Sequence, residues 1–228
     1  MLKSITAATY DVEAFAGPVQ APDMVKFAGS GSVADKVDRG LPRFRVKGSM
    51  TTKGRDAAGN PVPGKELEIA YDRKEFSTIN ASERMYGVSR NPMDFGPIVD
   101  MTAIAIAHEY CNTQPFKAEL EGSVDLEASE AIGGVDCYVL KVVYPQGSLV
   151  TRFWIGKSDF LPRKMVREAD QGANGRVVGT TTLTNVQVNP TLAEDAFRLK
   201  RPDGFGDFPA PQPVVTSQSV AGKEDPRK

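Results

Sequence analysis

The sequence predicts an α+β, mainly β fold: a large curved antiparallel sheet, forming an open half-barrel, with an apolar helix inserted in its concavity. Segments that alternate apolar and polar residues recur along most of the 228 residues, and turns containing Gly or Pro separate them. One segment near the middle instead has its apolar residues at helical spacing. A single sheet of about nine or ten strands must curl or close, and this gives it a concave face.

The first half of the chain is predicted to be a meander of strands. A first strand is expected over 2–16, and glycines and prolines make 17–42 a mixed stretch of loop and short pieces. Residues 44–50 and 65–72 alternate as half-buried strands do, and 76–86 is predicted to add one more strand. A strand that begins at residue 2, with no apolar leader before it, indicates a trimmed start.

The segment 92–110 is predicted to be a helix that is apolar on most of its faces. Its apolar residues include Phe95, Ile98, Met101 and Ile104. Such a helix has to be covered nearly all round, so an ordinary core helix is the simpler interpretation. The alternative is a helix that lies across a hydrophobic cavity and turns part of its apolar surface to a ligand.

The second half returns to strands joined by hairpin turns. The last strand is rich in threonine, which suits an antiparallel sheet with one face in water. The predicted strands cover 119–130, 138–144, 149–155, 161–167 and 177–188. We predict a single domain over residues 1–208 and a disordered, proline-rich tail over residues 209–228.

Composition and rare residues exclude several classes of function. The 28 basic and 29 acidic side chains give a formal net charge of −1, which argues against a general nucleic-acid binder. No apolar stretch is long enough for a transmembrane segment. His108 is the only histidine, and Asn112 stands where a zincin motif needs its second one, so no metal site is predicted. No nucleotide-binding glycine motif is present, and we expect neither a cofactor nor an enzyme.

The two cysteines, Cys111 and Cys137, leave alternatives open. In a cytosolic protein they would be reduced, buried thiols, whereas in an exported protein an even pair favours a disulfide. A bridge closing a loop of this length would contribute on the order of 3 kcal/mol. A thiol enzyme built on His108, Glu109 and Cys111 is the weakest alternative, because helical spacing alone makes His108 and Cys111 neighbours.

A series of short motifs in the C-terminal half carries a resemblance to a known family. The motifs are Ile132-Gly133-Gly134-Val135-Asp136-Cys137-Tyr138-Val139-Leu140, Phe153-Trp154-Ile155, Phe160-Leu161-Pro162-Arg163-Lys164, Asn189-Pro190, Asp195-Ala196-Phe197 and Arg201-Pro202-Asp203-Gly204. Over roughly residues 130–205, their order and spacing resemble those of the outer-membrane lipoprotein carrier (LolA-like) fold superfamily and its relatives among bacterial envelope proteins. These motifs are turns and strand starts, so they specify a fold more than an activity.

The resemblance implies a place in the periplasm or cell envelope and two classes of function. Characterised members of the family bind acyl chains in the cavity of an open barrel, which implies a non-enzymatic protein that binds a lipid, a lipoprotein acyl chain or another apolar ligand. Other members are envelope-stress sensors that bind an anti-sigma factor. The alternative is therefore an envelope regulatory or interaction module that docks a protein partner.

The predicted cavity lining combines the helix with the C-terminal strands. Plain core packing is the simpler role for each of these residues. Phe153 and Trp154 cannot both face inward in a regular strand, because neighbouring side chains alternate between the two faces. The candidates are Phe95, Ile98, Met101 and Ile104 from the helix, with Tyr138, Leu140, Phe153 and Trp154 from the sheet.

Overall fold

Twelve strands form one open, curved sheet in the structure, a computed structural model that describes residues 2–90, 104–145, 149–170, 172 and 175–208. One α-helix, α1 (Ile104–Cys111), and three short 3-10 helices accompany the sheet in the described part of the chain. The predicted fold class, mainly β with an open curved sheet, is confirmed. The strands are β1 (Ala7–Pro18), β2 (Val25–Ala34), β3 (Arg43–Thr52), β4 (Lys65–Tyr71), β5 (Phe76–Asn80), β6 (Met85–Ser89), β7 (Ser123–Ile132), β8 (Val135–Val143), β9 (Leu149–Gly156), β10 (Pro162–Asp170), β11 (Arg176–Val188) and β12 (Gly206–Asp207).

The sheet consists of two meanders joined in its middle. Strands β1 to β6 follow one another through space, as do β7 to β11, and β1 pairs with β11. Every neighbouring pair is antiparallel except β6 with the two-residue β12. This order places β6 next to one edge of the sheet and β7 at the other. The connection from β6 to β7 therefore has to cross a face of the sheet.

Helix α1 lies in that connection and packs on one face of the sheet, against β1, β2 and β10. Ile106, Ala107, Tyr110 and Cys111 are fully buried. The hydroxyl of Tyr110 donates a hydrogen bond to the carbonyl of Pro162 in β10. The face covered by α1 carries the main core cluster, which contains residues from both meanders, and it is the concave face of the predicted half-barrel.

Lys36 satisfies carbonyl groups at the end of α1. Its Nζ donates to the carbonyl oxygens of Tyr110 and Asn112, both at 3.2 Å, and to that of Leu2 at 2.8 Å. The last carbonyls of a helix have no intrahelical donors, and a cation complements the negative end of the helix dipole. Burial lowers the pKa of Lys36. This ammonium thus joins the end of α1 to the 3-10 helix Leu2–Ser4 and to the segment that follows β2.

The strand predictions are wrong in three places. The strand expected from residue 2 begins only at Ala7, because Leu2–Ser4 form a 3-10 helix. The stretch 17–42 contains β2, which the glycines and serines of Val25–Ala34 concealed because these residues have poor strand propensity. A Cβ on Gly31 would overlap the ring of Tyr10, so a glycine is required by the neighbouring strand. The segment 76–86 contains two strands rather than one, because a turn at Ala81–Arg84 separates β5 from β6, with Arg84 at a φ of +53°. The predicted tail, 209–228, lies outside the described residues.

The two faces of the C-terminal meander hold different apolar clusters. Phe153 and Ile155 belong to the main cluster under α1, whereas Trp154 packs with Ile132, Cys137 and Val139 in a second cluster. Cys111 lies in the first cluster and Cys137 in the second, and both are free, buried thiols. The disulfide alternative is therefore wrong for this structure, because the sheet lies between the two thiols.

Candidate functional site

An apolar cavity of about 250 Å³ opens on the concave face, over strands β7, β8 and β9. The strand register places its sheet residues on one face: Leu140 is opposite Phe153, and Val142 is opposite Val124. Segments outside the strands supply the remaining walls. The lining residues are Leu2, Phe116, Glu119, Leu120, Val124, Leu140, Val142, Phe153, Ile155 and Phe160.

Much of the apolar surface around the cavity is exposed. Leu120 is 77% exposed, Phe160 54% and Val124 45%, and Leu126, on the same face of β7, is 68% exposed. Single exposed apolar residues are ordinary on a protein surface, but a contiguous group beside a cavity indicates a binding surface. The group identifies this end of the concave face as the candidate site.

Two bulky aromatic residues at the cavity have backbones in the left-handed region. Phe116 has a φ of +57° and Phe160 a φ of +53°. For a side chain with a Cβ this conformation is strained, at a cost of about 1–2 kcal/mol for each residue. Among the described residues other than glycine, these are the only aromatic ones with positive φ. Both line one cavity, so the two strained aromatic residues meet at the candidate site.

Phe116 is held by a buried carboxylate on α1. The Oε2 atom of Glu109 accepts a hydrogen bond from the Phe116 amide at 2.6 Å, and Oε1 lies 2.8 Å from Nε2 of His108. The Phe116 ring meets the ring of Phe153 edge-to-face, with the centroids 5.2 Å apart. Helix α1 thus positions one wall of the cavity through a polar side chain that is only 4% exposed.

Phe160 is held by the tight turn between β9 and β10. Its amide donates to the carbonyl of Gly156 at 2.8 Å, and Asp159 accepts from the Leu161 amide at 3.1 Å. Asp159 also forms an ion pair with Arg163 at 2.6 Å. A Cβ at Gly156 would collide with Asp159, so this glycine allows the turn to close. The turn fixes the backbone and leaves the Phe160 ring half exposed at the cavity.

Glu119 is the one charged residue among the described residues that line the cavity. Its Oε1 accepts a hydrogen bond from the hydroxyl of Tyr144 at 3.1 Å. Burial, followed by the nearby charge of Glu119, raises the pKa of Tyr144. The described lining of the cavity is therefore apolar with one acidic group in it, an arrangement suited to holding a hydrocarbon group.

The structure brings together two of the sequence-predicted cavity residues. Leu140 and Phe153 line the cavity, and Tyr138 lies on the same face of β8 without belonging to the lining. Trp154 is on the opposite face, where its indole donates to Glu130 at 2.7 Å, so it does not line the cavity. Ile104 belongs to α1, but its side chain, like residues Phe95, Ile98 and Met101, lies outside the described residues.

Sequence reasoning missed the loop residues of the cavity. Phe116 and Phe160 stand in turns without an alternating pattern, so strand periodicity gave no signal for them. Leu120 follows in a 3-10 helix, Glu119–Glu121, just before β7. An aromatic residue within a Gly156–Leu161 turn was the available signal, because large apolar side chains in tight turns are unusual.

The thiol-enzyme alternative finds no support in the geometry. Cys111 is fully buried, and burial raises the pKa of its thiol to about 11. A reactive cysteine needs an accessible thiolate with a lowered pKa.

No group of three or more metal-ligating side chains occurs in the described ranges. None of the described helices is long and apolar enough to cross a membrane.

The chain is similar to several solved structures of low sequence identity. An uncharacterised conserved protein from Thermus thermophilus is similar with a TM-score of 0.50 at 12% identity, over 90% of this chain and 91% of that one. LprF from Mycobacterium bovis has a TM-score of 0.44 at 16% identity, over 90% of this chain and 92% of its own. A putative outer membrane lipoprotein-sorting protein domain from Vibrio parahaemolyticus has a TM-score of 0.33 at 10% identity, over 85% of this chain and 89% of that one.

Sequence comparison gives a family rather than a characterised relative. A search of curated protein sequences finds no match. The family model described as "Predicted periplasmic protein (DUF2092)" matches residues 43–206, which span β3 to β12 and include the walls of the cavity apart from Leu2. The expected location in the periplasm or cell envelope agrees with that description. The chain belongs to the DUF2092 family of periplasmic proteins.

Proposed function

We propose that this periplasmic protein binds an apolar ligand, a lipid or the acyl chain of a lipoprotein, in the cavity over β7–β9, without catalysing a reaction. The observation that carries the proposal is the pair of strained aromatic residues, Phe116 and Phe160, at one apolar cavity. Strained backbone is retained where a site needs it, since unstrained alternatives would be more stable. Packing alone would not favour a half-exposed Phe160 at positive φ.

The energetics suit a hydrocarbon group. Each buried methylene contributes about 0.8 kcal/mol, so six of them contribute roughly 5 kcal/mol without any specific polar contact. The cavity volume of about 250 Å³ is close to the lower end of the range for ligand pockets. The exposed side chain of Leu126, on the same face of β7 as Val124, extends the apolar surface beyond the cavity, so a longer chain can continue along β7.

Native mass spectrometry of the protein purified from the periplasm, followed by organic extraction, tests the proposal. We expect a bound lipid mass that disappears on extraction and returns when fatty acids or phospholipids are added. A protein that stays free of ligand after incubation with both classes of lipid would contradict it.

A cavity-filling variant connects the binding to this site. Leu140→Trp places a larger side chain in the cavity wall and is expected to abolish the bound mass. Val88→Trp is the matched control, because Val88 is 47% exposed on β6, in the other meander. Equal lipid occupancy in the two variants would show that the ligand binds elsewhere.

A docking module for a protein partner is the second candidate. The observation in its favour is the exposure of Leu120 and Leu126 at β7, the edge strand of the sheet. An exposed strand edge can pair with an added strand of a partner. The two candidates separate in one comparison made with a short fatty acid that does not reach past the cavity: Leu126→Lys would abolish partner binding and leave the occupancy by this fatty acid unchanged, whereas Leu140→Trp would abolish this occupancy and leave the edge intact.

A further inference from the structure

Arg167 is a cation on the concave face that lacks a carboxylate partner. In the strand register it is opposite Thr151 of β9 and Gly179 of β11, and Met165, two residues before it on the same face, belongs to the main core cluster. Strands β9, β10 and β11 contain five Lys and Arg residues. The other four, Arg152, Arg163, Lys164 and Arg176, all form ion pairs with Asp or Glu, whereas within the described ranges Arg167 forms none.

The guanidinium of Arg167 also has an unsatisfied donor. Its Nε is buried and has no hydrogen-bond partner among the described residues. Buried donors are almost always paired, and a charged one is especially unfavourable without an acceptor. The residue as a whole is only partly buried, so it is in contact with solvent.

Open space adjoins the Arg167 side chain. Gly179, its register partner in β11, is a glycine in the interior of a strand, and a Cβ built there would have no neighbouring atom within 4 Å. Glycine weakens a strand, and often marks a place where a ligand approaches the backbone closely. The missing side chain leaves room beside the cation on the concave face.

The cavity begins one step away along the same face. Thr151, opposite Arg167, is itself opposite Val142 in β8 and is followed on its own face by Phe153, and both Val142 and Phe153 line the cavity. Residues two apart on one face of a strand are roughly 7 Å apart. Arg167 therefore lies within one strand step, on the same face, of a ligand that has its hydrocarbon part in the cavity.

Nearby charges leave Arg167 available for an external anion. Glu119 accepts the hydrogen bond from Tyr144 and forms no ion pair with Arg167 in the described part of the chain. The charge of Arg167 acts on the Tyr144 hydroxyl in the direction opposite to burial and Glu119, which raise the pKa of Tyr144. The Tyr144 hydroxyl thus interacts with two opposite charges, the carboxylate of Glu119 at the cavity and the guanidinium of Arg167.

We propose that Arg167 binds the anionic headgroup, a carboxylate or a phosphate, of the ligand whose hydrocarbon chain occupies the cavity. The inference rests on the proposed function and specifies its ligand class: an anionic amphiphile rather than a neutral lipid. A guanidinium offers paired N–H donors that match the oxygens of carboxylate and phosphate groups. The headgroup would supply the acceptor that Nε lacks.

Displacement of a neutral fluorescent probe, N-phenyl-1-naphthylamine, measures ligand affinity and allows the contributions of the headgroup and of the hydrocarbon chain to be separated. Oleate is compared with oleyl alcohol, and oleoyl lysophosphatidate with monoolein, so each acid has a neutral counterpart with the same chain. The variants are Arg167→Met, which keeps an apolar stem, and Arg167→Lys, which keeps the charge. Arg176→Met is the control, because it removes an equal charge from β11 where Arg176 is paired with Glu168.

We expect the wild type and Arg176→Met to bind the acids at least about tenfold more tightly than their neutral counterparts, since hydrogen bonds to charged groups are strong. Arg167→Met should lose this preference while still binding the neutral probe, and Arg167→Lys should keep most of it. The affinity ratio of each acid to its neutral counterpart is then compared between oleate and lysophosphatidate. The larger ratio identifies the preferred headgroup, carboxylate or phosphate.

Three results would overturn the inference, and they differ from a failure of the proposed function. Neutral ligands that bind as tightly as the acids, or an acid preference that survives in Arg167→Met, would leave apolar binding intact and remove Arg167 from it. A loss of probe binding in Arg167→Met together with a lowered melting temperature would mean that Arg167 is structural. A wild type that binds neither the probe nor any lipid would refute apolar binding itself, and this inference with it.

Discussion

The two meanders of the sheet treat the same concave face in different ways. On β3–β5 the face is filled by the protein's own rings: Phe44 is fully buried, with its centroid 5.8 Å from Tyr71 and 6.0 Å from Phe76, and the last two rings stack at 4.3 Å. On β7–β9 the same face carries Val, Leu and Phe side chains around a cavity. One half is a packed core, and the other is an open apolar surface.

The difference shows that strand alternation fixes which face is apolar but not whether that face is filled. In the first meander, glycines make room for rings: a Cβ at Gly48 would lie 2.7 Å from Cζ of Phe27. In the second meander, Gly179 adjoins empty space. The same residue type thus serves packing in one half and leaves room in the other.

Truncating one apolar side chain in each half should give the largest contrast. Phe44→Ala is expected to lower the free energy of unfolding by about 3–5 kcal/mol, because it opens a cavity in a packed core. Leu126→Ala, in the open half, should change it by less than about 0.5 kcal/mol, since Leu126 is 68% exposed. Urea denaturation of both variants measures the difference, and equal losses would mean that the second half is packed as well.

A pair of glycine substitutions sharpens the comparison. Gly31→Ala should destabilise the protein by about 1–3 kcal/mol, because the new Cβ overlaps the ring of Tyr10 in a well-packed region. Gly179→Ala should stabilise it by about 0.4–1 kcal/mol, since the space is free and the unfolded chain loses conformational freedom. Thermal unfolding of the two variants tests the signs. A destabilised Gly179→Ala would show that the space beside Arg167 is occupied.

The loss of stability at alkaline pH tests how well α1 excludes water from the concave face that it covers. Burial raises the pKa of Cys111 from about 9 to about 11. As the pH rises through 9, the unfolded thiol loses its proton while the folded one keeps it, so the unfolded state binds fewer protons and stability falls until about pH 11. Between pH 8 and 10 we expect a loss of about 1 kcal/mol from this group.

Urea denaturation of the wild type and Cys111→Ala at these two pH values isolates the contribution of the thiol. The variant should be less stable overall but should lose less stability between the two pH values. Staying at or below pH 10 limits the contribution of Tyr10 and Tyr110, whose pKa values are also raised by burial. Parallel pH slopes in the two proteins would indicate that water reaches Cys111.

The smallest expected effect on stability, and the most informative about the site, comes from relieving backbone strain at the cavity. Phe160→Gly should stabilise the protein by about 0.5–1 kcal/mol, because glycine adopts positive φ freely, while lowering lipid affinity through loss of a cavity wall. Asn185→Gly, at a φ of +51° on β11, is the control and should leave affinity unchanged. Unaltered affinity in Phe160→Gly would remove the strained ring from the binding site.

The sequence by itself determined the mainly β architecture and most strand positions, because a two-residue period survives in any half-buried strand. It also assigned Leu140 and Phe153 to the inner face and excluded simultaneous inward placement of Phe153 and Trp154. It missed β2, in which Gly31 is required by the ring of Tyr10 on β1 and Gly29 by the backbone of Lys47 and Gly48 on β3. Those requirements are tertiary contacts, with no trace in local periodicity.

Only the tertiary structure decided which part of the concave face stays open. The strained Phe116 and Phe160 are held by Glu109 and by the turn at Gly156, and these contacts join residues with no shared pattern. Likewise, Arg167 in the sequence stands among ordinary strand charges, and only the strand register separates it from its paired neighbours. Periodicity assigns a residue to one face of the sheet. Whether that face is filled by side chains, and whether a charge is paired, depends on which strands are neighbours, and contacts between distant parts of the chain determine this.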